Sequence, residues 1–438
     1  MALNWIFRGG VPAPHRKNTA EAETSVIDVP EKVIIPMVQH IGAPCTPIVK
    51  QGDTVKVGQK IGDSEAYVSA PVHSSVSGTV TKIEPMLFAG GNKVMSVEIT
   101  TDGRQEVYEG VLPPEIRNRD DFLKAIRDSG LVGLGGAGFP THVKLNPPKD
   151  KTIDCLIING AECEPYITSD YREMIENPSG IIEGIRIVLD YLNIPKAIVG
   201  IENNKPKAIN LLKQLAEGDK RISVQSLRSR YPQGAEKTLI YSLTGRKVPS
   251  GKLPADVGCI VLNVNTVSFI AYYVKTGMPL VQKRVTVDGP VVNRPQNVMV
   301  PIGTSLQALF DFCGGFKSTP YKVLMGGPMM GIAQYSLETS VIKNTNAILA
   351  FDKKEGDLPS ESACIRCGRC VEACPMNLLP LELNRLVLAN RTDELDRYHI
   401  LDCIECGSCS YACPSKRHLV QSIRIGKDAV RRLQANKN

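Results

Sequence analysis

The sequence predicts a multidomain protein of the α/β and α+β classes, and three stretches of the chain carry this prediction. Residues 31–100 contain short apolar runs separated by Gly and Pro at close intervals, which is typical of a small β-barrel or sandwich. From residue 115, strand-like and helix-like runs alternate, which favours a parallel sheet covered by helices. Near the C-terminus, two cysteine-rich blocks of identical spacing indicate a separate metal-binding module.

Length, composition and charge narrow the function classes. The 438 residues correspond to about three or four domains, and an apolar content of 42% with 22% charged residues is ordinary for globular proteins. The net charge of +7 suits an acidic protein partner or an anionic membrane surface as well as it suits nucleic acid. The sequence has no zinc finger, helix-turn-helix or aromatic-plus-basic RNA motif, so we expect no nucleic-acid partner.

Each cysteine-rich block has the spacing C-x2-C-x2-C-x3-C-P, which holds [4Fe–4S] clusters in two-cluster ferredoxins. The blocks read CIRCGRCVEACP from Cys364 and CIECGSCSYACP from Cys403. In this arrangement the fourth cysteine of each block serves the other cluster. The predicted ligands are Cys364, Cys367, Cys370 and Cys413 for the first cluster, and Cys403, Cys406, Cys409 and Cys374 for the second. Structural zinc and disulfides are the alternatives, but zinc sites usually present separated C-x2-C pairs.

The other five of the 13 cysteines are scattered through apolar stretches, so they are predicted to be buried small hydrophobic residues. They are Cys45, Cys155, Cys163, Cys259 and Cys313. Free thiols and iron–sulfur clusters both fit a reducing, intracellular compartment. No apolar run of about 18 residues occurs, so we expect no membrane-spanning helix, and the first residues do not read as a secretory signal.

The N-terminal part divides into an arm and a β domain. Residues 1–30 are rich in Pro and Gly and are predicted to form an extended arm, either docked or disordered. Residues 31–110 resemble the hairpin domains that carry lipoyl or biotinyl groups, through the run GDTVKVGQKIG and the later EAYVSAPVHSSVSGTV. The lysine that those domains modify has no counterpart, since Glu65 and Ala66 are followed by Tyr67 and Val68. We therefore expect a barrel-sandwich hybrid that acts as a scaffold and not as a swinging arm.

Residues 111–280 are predicted to form an α/β domain with ligands at the carboxyl ends of its strands. The predicted strands are 154–162, 197–202 and 222–227, and the predicted helices are one that ends at Gly130 and two at 180–192 and 207–218. The run GLGGAG (133–138) satisfies G-x-G-x-x-G, but a helix precedes it instead of a strand. No acid stands at the proper place about 20 residues on, so the dinucleotide fingerprint is not met. Its unhindered N–H groups suit one phosphate, with Lys144 as a point charge; a flexible turn is the alternative.

Three further units are predicted towards the C-terminus. Residues 281–353 are β-rich with one helix, and their GGPMMG run (326–331) indicates a tight turn or, less commonly, a close approach to a neighbour. Residues 354–415 hold the cluster module, in which an insert of about two helices separates the cysteine blocks. Residues 416–438 are predicted to form a basic amphipathic helix that lies on anionic headgroups, docks on a partner or packs on its own domain.

Four motifs and the order of the domains resemble a known family. The motifs are GLGGAGFPTHVK, INGAECEP (158–165), YPQGAEKTL (231–239) and LNVNTV (262–267). In this order they resemble the flavin- and NADH-binding subunit of respiratory complex I, and the whole chain resembles the C subunits of Rnf ion-translocating electron transport complexes. The resemblance implies a barrel-sandwich hybrid, a complex I flavin-subunit-like α/β domain, a β-grasp (SLBB-like) module and a helical two-cluster ferredoxin domain.

The resemblance also implies a set of cofactor-binding residues. The flavin phosphate and ribityl chain would lie against Gly133, Gly135, Gly136, Gly138 and Lys144; the flavin would be hydrogen-bonded by Asn159, Asn263, Asn265 and Thr266; and Glu162, Glu164 and Glu236 would face the nicotinamide nucleotide. Amides offer donors and acceptors to a flavin ring, and carboxylates accept hydrogen bonds from ribose hydroxyls. The structural alternatives are helix capping by Glu162 and Glu164 and a turn at Asn263.

The implied activity is hydride transfer between NADH and a non-covalently bound FMN, in either direction, with single-electron passage through two [4Fe–4S] clusters to a partner. The cofactors carry this chemistry, so no catalytic side chain is expected. The implied partners are other subunits of a membrane complex and a ferredoxin-type protein, and the implied location is peripheral, on the cytoplasmic face of the cell membrane. The chain departs from the complex I motifs at Leu134, Ala161 and Ala235. These departures leave open a non-catalytic electron-wiring or scaffold subunit, and the pattern also permits a soluble NADH dehydrogenase.

Overall fold

A computed structural model describes residues 6–436 of the chain. The first five residues of the predicted arm and the last two residues of the predicted basic helix lie outside the described residues. The rest of the arm packs on the protein. Phe7 and Val11 are buried, and the segment ends in strand β1 (Ser25–Val26), which pairs in parallel with residues 298–299 of a later sheet. We call residues 6–26 the N-terminal strap.

Two small sheets share one apolar core in the N-terminal β domain. Their strands are β2 (Lys32–Pro36), β3 (Thr46–Pro47), β4 (Thr54–Val55), β5 (Lys60–Asp63), β6 (Val72–His73), β7 (Gly78–Leu87) and β8 (Lys93–Thr101). One sheet has the order β2-β8-β7-β4 and the other has the order β3-β5-β6. Ile35, Ile61 and Val97 come from both sheets and are fully buried in the shared core. The closely spaced Gly and Pro residues thus separate the strands of a sandwich.

The α/β domain is a four-stranded parallel sheet with helices on both faces. Its strands are β9 (Cys155–Gly160), β10 (Ala197–Glu202), β11 (Ile222–Leu227) and β12 (Cys259–Asn263). Its helices are α1 (Arg119–Asp128), α2 (Thr141–Lys144), α3 (Ser169–Glu176), α4 (Pro178–Leu192), α5 (Pro206–Ala216), α6 (Glu236–Thr244) and α7 (Val264–Thr276), with a 3-10 turn at Pro254–Val257. Alternate strand residues face opposite layers: Ile158 packs with α4, α5 and α7, whereas Ile157 packs with α6. Burial on both faces explains why the strands read as continuous apolar runs.

The strand order of this sheet is β11-β10-β9-β12. From β9 the chain adds β10 and β11 on one side, and it then returns to place β12 on the other side of β9. The strand order therefore reverses between β9 and β12. In open parallel sheets a ligand crevice forms at the carboxyl ends of the two strands that flank such a point.

A mixed six-stranded sheet follows the α/β domain. Its strands are β13 (Gln282–Asp288), β14 (Gln296–Pro301), β15 (Lys322–Met325), β16 (Ile332–Gln334) and β17 (Ala347–Phe351), and helix α8 (Leu306–Phe312) covers one face. The order is β1-β14-β13-β17-β15-β16, so the strap supplies an edge strand. The GGPMMG run is the turn between β15 and β16, where Gly326 has φ +97°. Positive φ is the conformation that glycine adopts without strain.

The cluster module is helical. Its helices are α9 (Lys353–Gly356), α10 (Arg369–Glu372), α11 (Pro380–Leu388), α12 (Thr392–Leu395), α13 (Ser408–Ala412) and α14 (Leu419–Ala435), with a 3-10 turn at Ile400–Asp402. Helix α14 buries Ile423 and Val430 in one core with Leu383 of α11. The basic C-terminal helix therefore turns its apolar face onto its own domain, which was one of its three predicted roles. Within residues 6–436, no helix is both long enough and apolar enough to cross a bilayer.

Candidate functional site

The eight motif cysteines line two cavities, with four cysteines at each. Cys364, Cys367, Cys370 and Cys413 line a solvent-open cavity, which we call the outer cavity. Cys374, Cys403, Cys406 and Cys409 line a smaller cavity, which we call the inner cavity. In both, the fourth cysteine of one block joins three cysteines of the other block, which is the exchange that two-cluster ferredoxins make. A set of four thiols around each cavity fits a [4Fe–4S] cluster.

The two cavities differ in exposure and in lining. Cys364 and Cys367 are exposed at the outer cavity, whereas Cys406 and Cys409 are buried at the inner one. Burial raises the pKa of Cys403 to about 11, so iron would have to stabilise this thiolate. No group of three His, Cys, Asp or Glu residues in the described chain converges as the ligands of a single ion do. A cubane cluster, by contrast, receives one thiolate at each of its four irons.

The glycine-rich loop lies at the point where the strand order reverses. Asn263 ends β12 and is paired in register with Asn159 of β9. A Cβ on Gly135 would lie 3.4 Å from the Asn263 Cβ, so the loop runs close to this pair. The backbone N–H of Leu134 donates to Thr266 Oγ1 at 3.1 Å. The structure thus brings together predicted flavin residues from β9, β12, α7 and the loop.

Two of the four glycines of the loop occupy positive φ, Gly136 at +112° and Gly138 at +67°. A Cβ on Gly138 would lie 3.1 Å from Asn344 Nδ2, and this amide donates to the Gly136 carbonyl at 2.7 Å. Beside the loop, the buried side-chain oxygen of Asn346 has no hydrogen-bond partner among the described residues. Glycine backbone without side chains lets the phosphate and ribityl chain of a flavin nucleotide approach closely. The side-chain oxygen of Asn346 can accept a hydrogen bond from such a ligand.

Asp170 orients the asparagines that the sequence assigns to the flavin. Asn263 Nδ2 donates to Asp170 Oδ2 at 2.7 Å, and Asn265 Nδ2 donates to Asp170 Oδ1 at 2.6 Å. Asn263 Oδ1 accepts from the Asn265 N–H at 2.8 Å and caps α7, so the turn considered as its structural alternative is present. The side chain of Asn159 makes two hydrogen bonds to backbone. Its Nδ2 donates to the Gly234 carbonyl at 2.9 Å, and its Oδ1 accepts from the Ala161 N–H at 3.1 Å.

Glu162 and Glu164 belong to the segment that follows β9, which we call the acidic loop (residues 161–167). Glu162 Oε1 accepts from the Asp170 N–H at 2.6 Å and so caps α3, as its structural alternative proposed. Glu164 Oε2 accepts instead from the Met329 N–H of the GGPMMG turn at 3.1 Å. The other oxygens, Glu162 Oε2 and Glu164 Oε1, are buried without a hydrogen-bond partner in residues 6–436. Burial raises the pKa of each carboxyl to about 7.

Two lysines bring positive charge to the site. Lys144 Nζ, predicted beside the flavin phosphate, donates to Oε1 of Glu236 at 2.6 Å, and both side chains are partly exposed. A phosphate at Lys144 would therefore compete with Glu236. The sequence did not single out Lys283, which is buried and donates to the Leu134 carbonyl at 3.2 Å behind the glycine loop. Burial lowers the pKa of Lys283 to about 8.

The inner cavity lies against the α/β domain. Tyr231 of the YPQGAEKTL motif donates from its hydroxyl to the Cys406 carbonyl at 2.6 Å. Tyr231 also pairs through its backbone with Val11 of the strap, and the Gly10 N–H donates to the Ala373 carbonyl at 2.9 Å. Val11, Tyr231, Ala373 and Cys406 form one buried cluster, with Met329 at its edge. The strap and the GGPMMG turn thus help to seal this interface.

The GGPMMG run combines its two predicted roles. It forms the expected tight turn, and it also approaches two neighbours closely. A Cβ on Gly327 would lie 2.3 Å from Glu164 Oε2, and one on Gly407 of the cluster module would lie 2.9 Å from the Met329 carbonyl oxygen. Of the five remaining cysteines, Cys45, Cys155, Cys259 and Cys313 are buried as predicted. The exception is Cys163, which is half-buried in the acidic loop and accepts from the Gly234 N–H at 3.4 Å.

Four family models match the chain in the order of its domains. They describe an RnfC barrel sandwich hybrid domain at residues 5–104, a Nuo51 FMN-binding domain at residues 126–272, an SLBB domain at residues 284–333 and a 4Fe-4S dicluster domain at residues 342–418. These matches confirm the predicted fold class.

Similar proteins match over most of their length. The C subunit of the proton-translocating ferredoxin:NAD(+) oxidoreductase complex of Clostridium ljungdahlii is 49% identical over 425 residues, which cover 95% of this chain and 92% of the relative. The C subunit of the Na(+)-translocating complex of Acetobacterium woodii is 46% identical, with 96% of each chain covered. The C subunit of the ion-translocating oxidoreductase complex of Rhodobacter capsulatus is 38% identical, with 99% and 85% covered.

A solved structure shares part of the fold. The crystal structure of an NAD+-reducing [NiFe]-hydrogenase in the H2-reduced state aligns with a TM-score of 0.50 at 20% sequence identity. The match covers 72% of this chain and 63% of that chain, so this chain spans less than two thirds of the hydrogenase chain. The identities to the curated relatives, over nearly the whole length, together with the four matching domains, show that the chain belongs to the family of C subunits of ion-translocating ferredoxin:NAD+ oxidoreductase (Rnf) complexes, as the resemblance predicted.

Proposed function

We propose that this chain exchanges electron pairs with NADH at an FMN held over the α/β sheet, and that two [4Fe–4S] clusters connect this site with a partner subunit. The observation that carries the proposal is the position of the two four-cysteine cavities. The inner cavity adjoins the α/β domain through Tyr231 and Cys406, and the outer cavity is open to solvent. A bound flavin would supply the exchange between the electron pair of a hydride and the single electrons that each cluster accepts.

The residues of this chain would bind and orient the flavin. The four glycines of the loop and Lys144 would hold its phosphate and ribityl chain, and Asn159, Asn263, Asn265 and Thr266 would meet the flavin. Asp170 supports this assignment because it fixes the amide orientation of Asn263 and Asn265 from behind. Amides that are held in place by protein lose little conformational entropy when a ligand binds.

The nicotinamide nucleotide would bind at the acidic loop and at Glu236. Glu162 and Glu164 each use one oxygen to hold protein backbone and keep the other without a hydrogen-bond partner in the described chain. Such oxygens are suited to accept from ribose hydroxyls. Glu236 begins α6 and is held by Lys144, so a nucleotide that binds Glu236 would share it with this lysine.

Two of the three departures from the complex I motifs are compatible with a working flavin site. Leu134 replaces an Arg, but the buried ammonium of Lys283 contacts the Leu134 carbonyl and keeps a positive charge at the loop. Ala161 replaces an Asp, and its carbonyl accepts from Lys205 Nζ at 2.6 Å. At both positions the contact is made by the backbone carbonyl, which does not depend on the type of side chain.

The proposed order of the redox sites is flavin, inner cluster and outer cluster, with electron flow possible in either direction. Cys364 and Cys367 are exposed, so the outer cluster would face the partner, which would be a ferredoxin-type subunit. Attachment would be peripheral, on the cytoplasmic face of the membrane, and would depend on neighbouring subunits. Helix α14 would contribute only its charged face to such contacts, because Ile423 and Val430 are buried in its own domain.

An anaerobic titration of the reconstituted chain with NADH tests the proposal. We expect flavin absorbance to bleach and the electron paramagnetic resonance signals of two reduced [4Fe–4S] clusters to appear. Chain that retains two clusters but binds no flavin would support the scaffold alternative instead. Zinc in place of the clusters would contradict the proposal altogether.

A further inference from the structure

The N-terminal strap inserts one lysine into the acidic loop. Lys17 is largely buried, with 15% of its side chain exposed. Its ammonium donates to the backbone carbonyls of Glu162 at 2.8 Å, Glu164 at 2.9 Å and Ile167 at 2.5 Å. An ammonium has three N–H donors, so these three bonds use all of them. The lysine lies about 150 positions away in sequence from the loop that it holds.

The loop that Lys17 holds has an irregular backbone. Glu162 has φ +50° and Tyr166 has φ +69°, and both values lie in the left-handed region that residues with side chains seldom adopt. Such conformations persist where surrounding contacts fix them. Three carbonyl oxygens that converge on one point repel one another unless a cation lies between them. The strap adds one more contact, from the Tyr166 N–H to the His15 carbonyl at 3.0 Å.

The backbone of this loop determines where its two carboxylates lie. The oxygens without hydrogen-bond partners, Glu162 Oε2 and Glu164 Oε1, belong to two of the residues whose carbonyls Lys17 binds. Lys17 Nζ also lies 3.9 Å from Glu162 Oε2 and forms an ion pair with it. A loop without this cation would lose both its bend and the charge that favours an ionised Glu162.

We propose that Lys17 is a positioning residue for the nicotinamide nucleotide: it holds the acidic loop so that Glu162 and Glu164 present to the ribose hydroxyls the oxygens that have no hydrogen-bond partner in the described residues. The inference rests on the proposed function, since it requires that the acidic loop meets the nucleotide. It assigns a role in substrate binding to the strap, a segment outside the α/β domain. Lys17 acts through the loop and touches neither the flavin nor the clusters.

The test uses the full-length, cofactor-loaded chain and three variants. Lys17→Met removes the charge and all three donors, whereas Lys17→Gln removes the charge and keeps a two-donor amide. Lys207→Met is the matched control: it breaks the ion pair between Lys207 and Glu21 of the same strap, at 2.6 Å, where both side chains are exposed. Flavin and iron contents, the KM for NADH and kcat with ferricyanide are measured for each.

Lys17→Met is expected to raise the KM for NADH by about tenfold or more, because hydrogen bonds from a charged group are lost, with kcat changed by less than about twofold. Flavin and iron contents should stay at their wild-type values. Lys17→Gln should fall between Lys17→Met and the wild type, and Lys207→Met should match the wild type. A purely structural role of Lys17 would not raise the KM for NADH while leaving kcat and the cofactor contents unchanged.

The proposal is overturned if Lys17→Met retains flavin and has the wild-type KM. It is also overturned if both Lys17 variants lose flavin, since Lys17 would then serve the fold as a whole. If only Lys17→Met loses flavin, the test depends on Lys17→Gln. A KM for NADH of Lys17→Gln equal to that of the wild type would then overturn the proposal. Failure of the proposed function gives a different result, because NADH would then not bleach the flavin of the wild-type chain.

Discussion

The phenol of Tyr231 donates a 2.6 Å hydrogen bond to the backbone carbonyl of Cys406, and this bond joins the α/β domain to the wall of the inner cavity. Tyr231 belongs to one of the four motifs shared with the complex I flavin subunit, and Cys406 is a predicted cluster ligand. The tyrosine is 3% exposed, so the contact is shielded from water. This buried hydrogen bond joins a motif residue of the α/β domain directly to the backbone of a predicted cluster ligand.

Tyr231→Phe removes only the hydroxyl of this contact. We expect the stability of the chain to fall by about 1–3 kcal/mol, because the Cys406 carbonyl loses its partner in a buried environment. Reduction of the clusters by NADH should slow. Urea unfolding and stopped-flow reduction of the clusters measure the two effects. Tyr411→Phe, at a 47% exposed tyrosine of the same module, is the control and should behave as the wild type.

The order of the clusters can be tested with one cysteine from each cavity. Cys367→Ala should remove the outer cluster while NADH still binds and reduces the flavin and the inner cluster, because the inner cavity adjoins the α/β domain. Cys409→Ala should remove the inner cluster and prevent rapid reduction of the outer one. Iron content and freeze-quenched electron paramagnetic resonance follow each cluster. If the outer cluster were reduced at the same rate in Cys409→Ala as in the wild type, the proposed order of the two clusters would be wrong.

Local sequence patterns were sufficient for several elements of the α/β domain and for the grouping of the cysteines by spacing. Strands 197–202 and 222–227 have the predicted bounds, because a run of buried apolar residues is a local signal. The cysteines are likewise marked by spacing alone, since three of the ligands of each cluster lie within seven positions. The four-domain order followed from the motifs of this sequence and from their resemblance to a known family.

The groups that hold in place the residues assigned to the flavin and the nucleotide could not be predicted in this way. Asp170, Lys17 and Lys283 act on residues 93 to 150 positions away, so no spacing in the sequence marks them. Asp170 resembles any acid in the first turn of a helix. Asn344 and Asn346 stand in a polar stretch before β17, which reads as an ordinary loop. The fold of the α/β domain itself brings Asp170 to its two asparagines, and the packing of the strap and of the six-stranded sheet brings the other groups to the site.

Acid should destabilise the chain through His73. Burial, and then the charge of Lys343, lowers the pKa of His73 well below the ordinary value of 6.5; Lys60 acts in the same direction and Asp63 against it. The folded state therefore keeps His73 neutral while the unfolded state takes up a proton below pH 6.5, so this contribution is complete above pH 6.5 and is lost as the pH falls. A full difference of one proton corresponds to about 1.4 kcal/mol for each pH unit.

The measurement for His73 is the difference in unfolding free energy between pH 6.5 and pH 5.5, for the wild type and for His73→Gln. We expect the wild type to lose about 1 kcal/mol more than the variant over this interval, because the unfolded imidazole is already half protonated at pH 6.5. Comparison with the variant is needed because Glu162 and Glu164 act in the opposite direction, with pKa values raised to about 7. Their contribution is present below pH 4.5 and is lost as the pH rises through 7. Parallel profiles for the two proteins would contradict the assignment.

The contact between Gly327 and Glu164 should make the SLBB-type turn important for nucleotide binding. A Cβ at position 327 would lie 2.3 Å from Glu164 Oε2, so Gly327→Ala forces either the turn or the carboxylate to move. Movement of Glu164 would break its bond from the Met329 N–H and displace the oxygen that we assign to the nucleotide. We expect a loss of stability of about 1–3 kcal/mol, as for other overpacked sites, and a higher KM for NADH with flavin retained. Gly218→Ala is the control, because a Cβ there meets nothing within 4 Å. If Gly327→Ala matched Gly218→Ala in both measurements, the turn would have no role in holding Glu164.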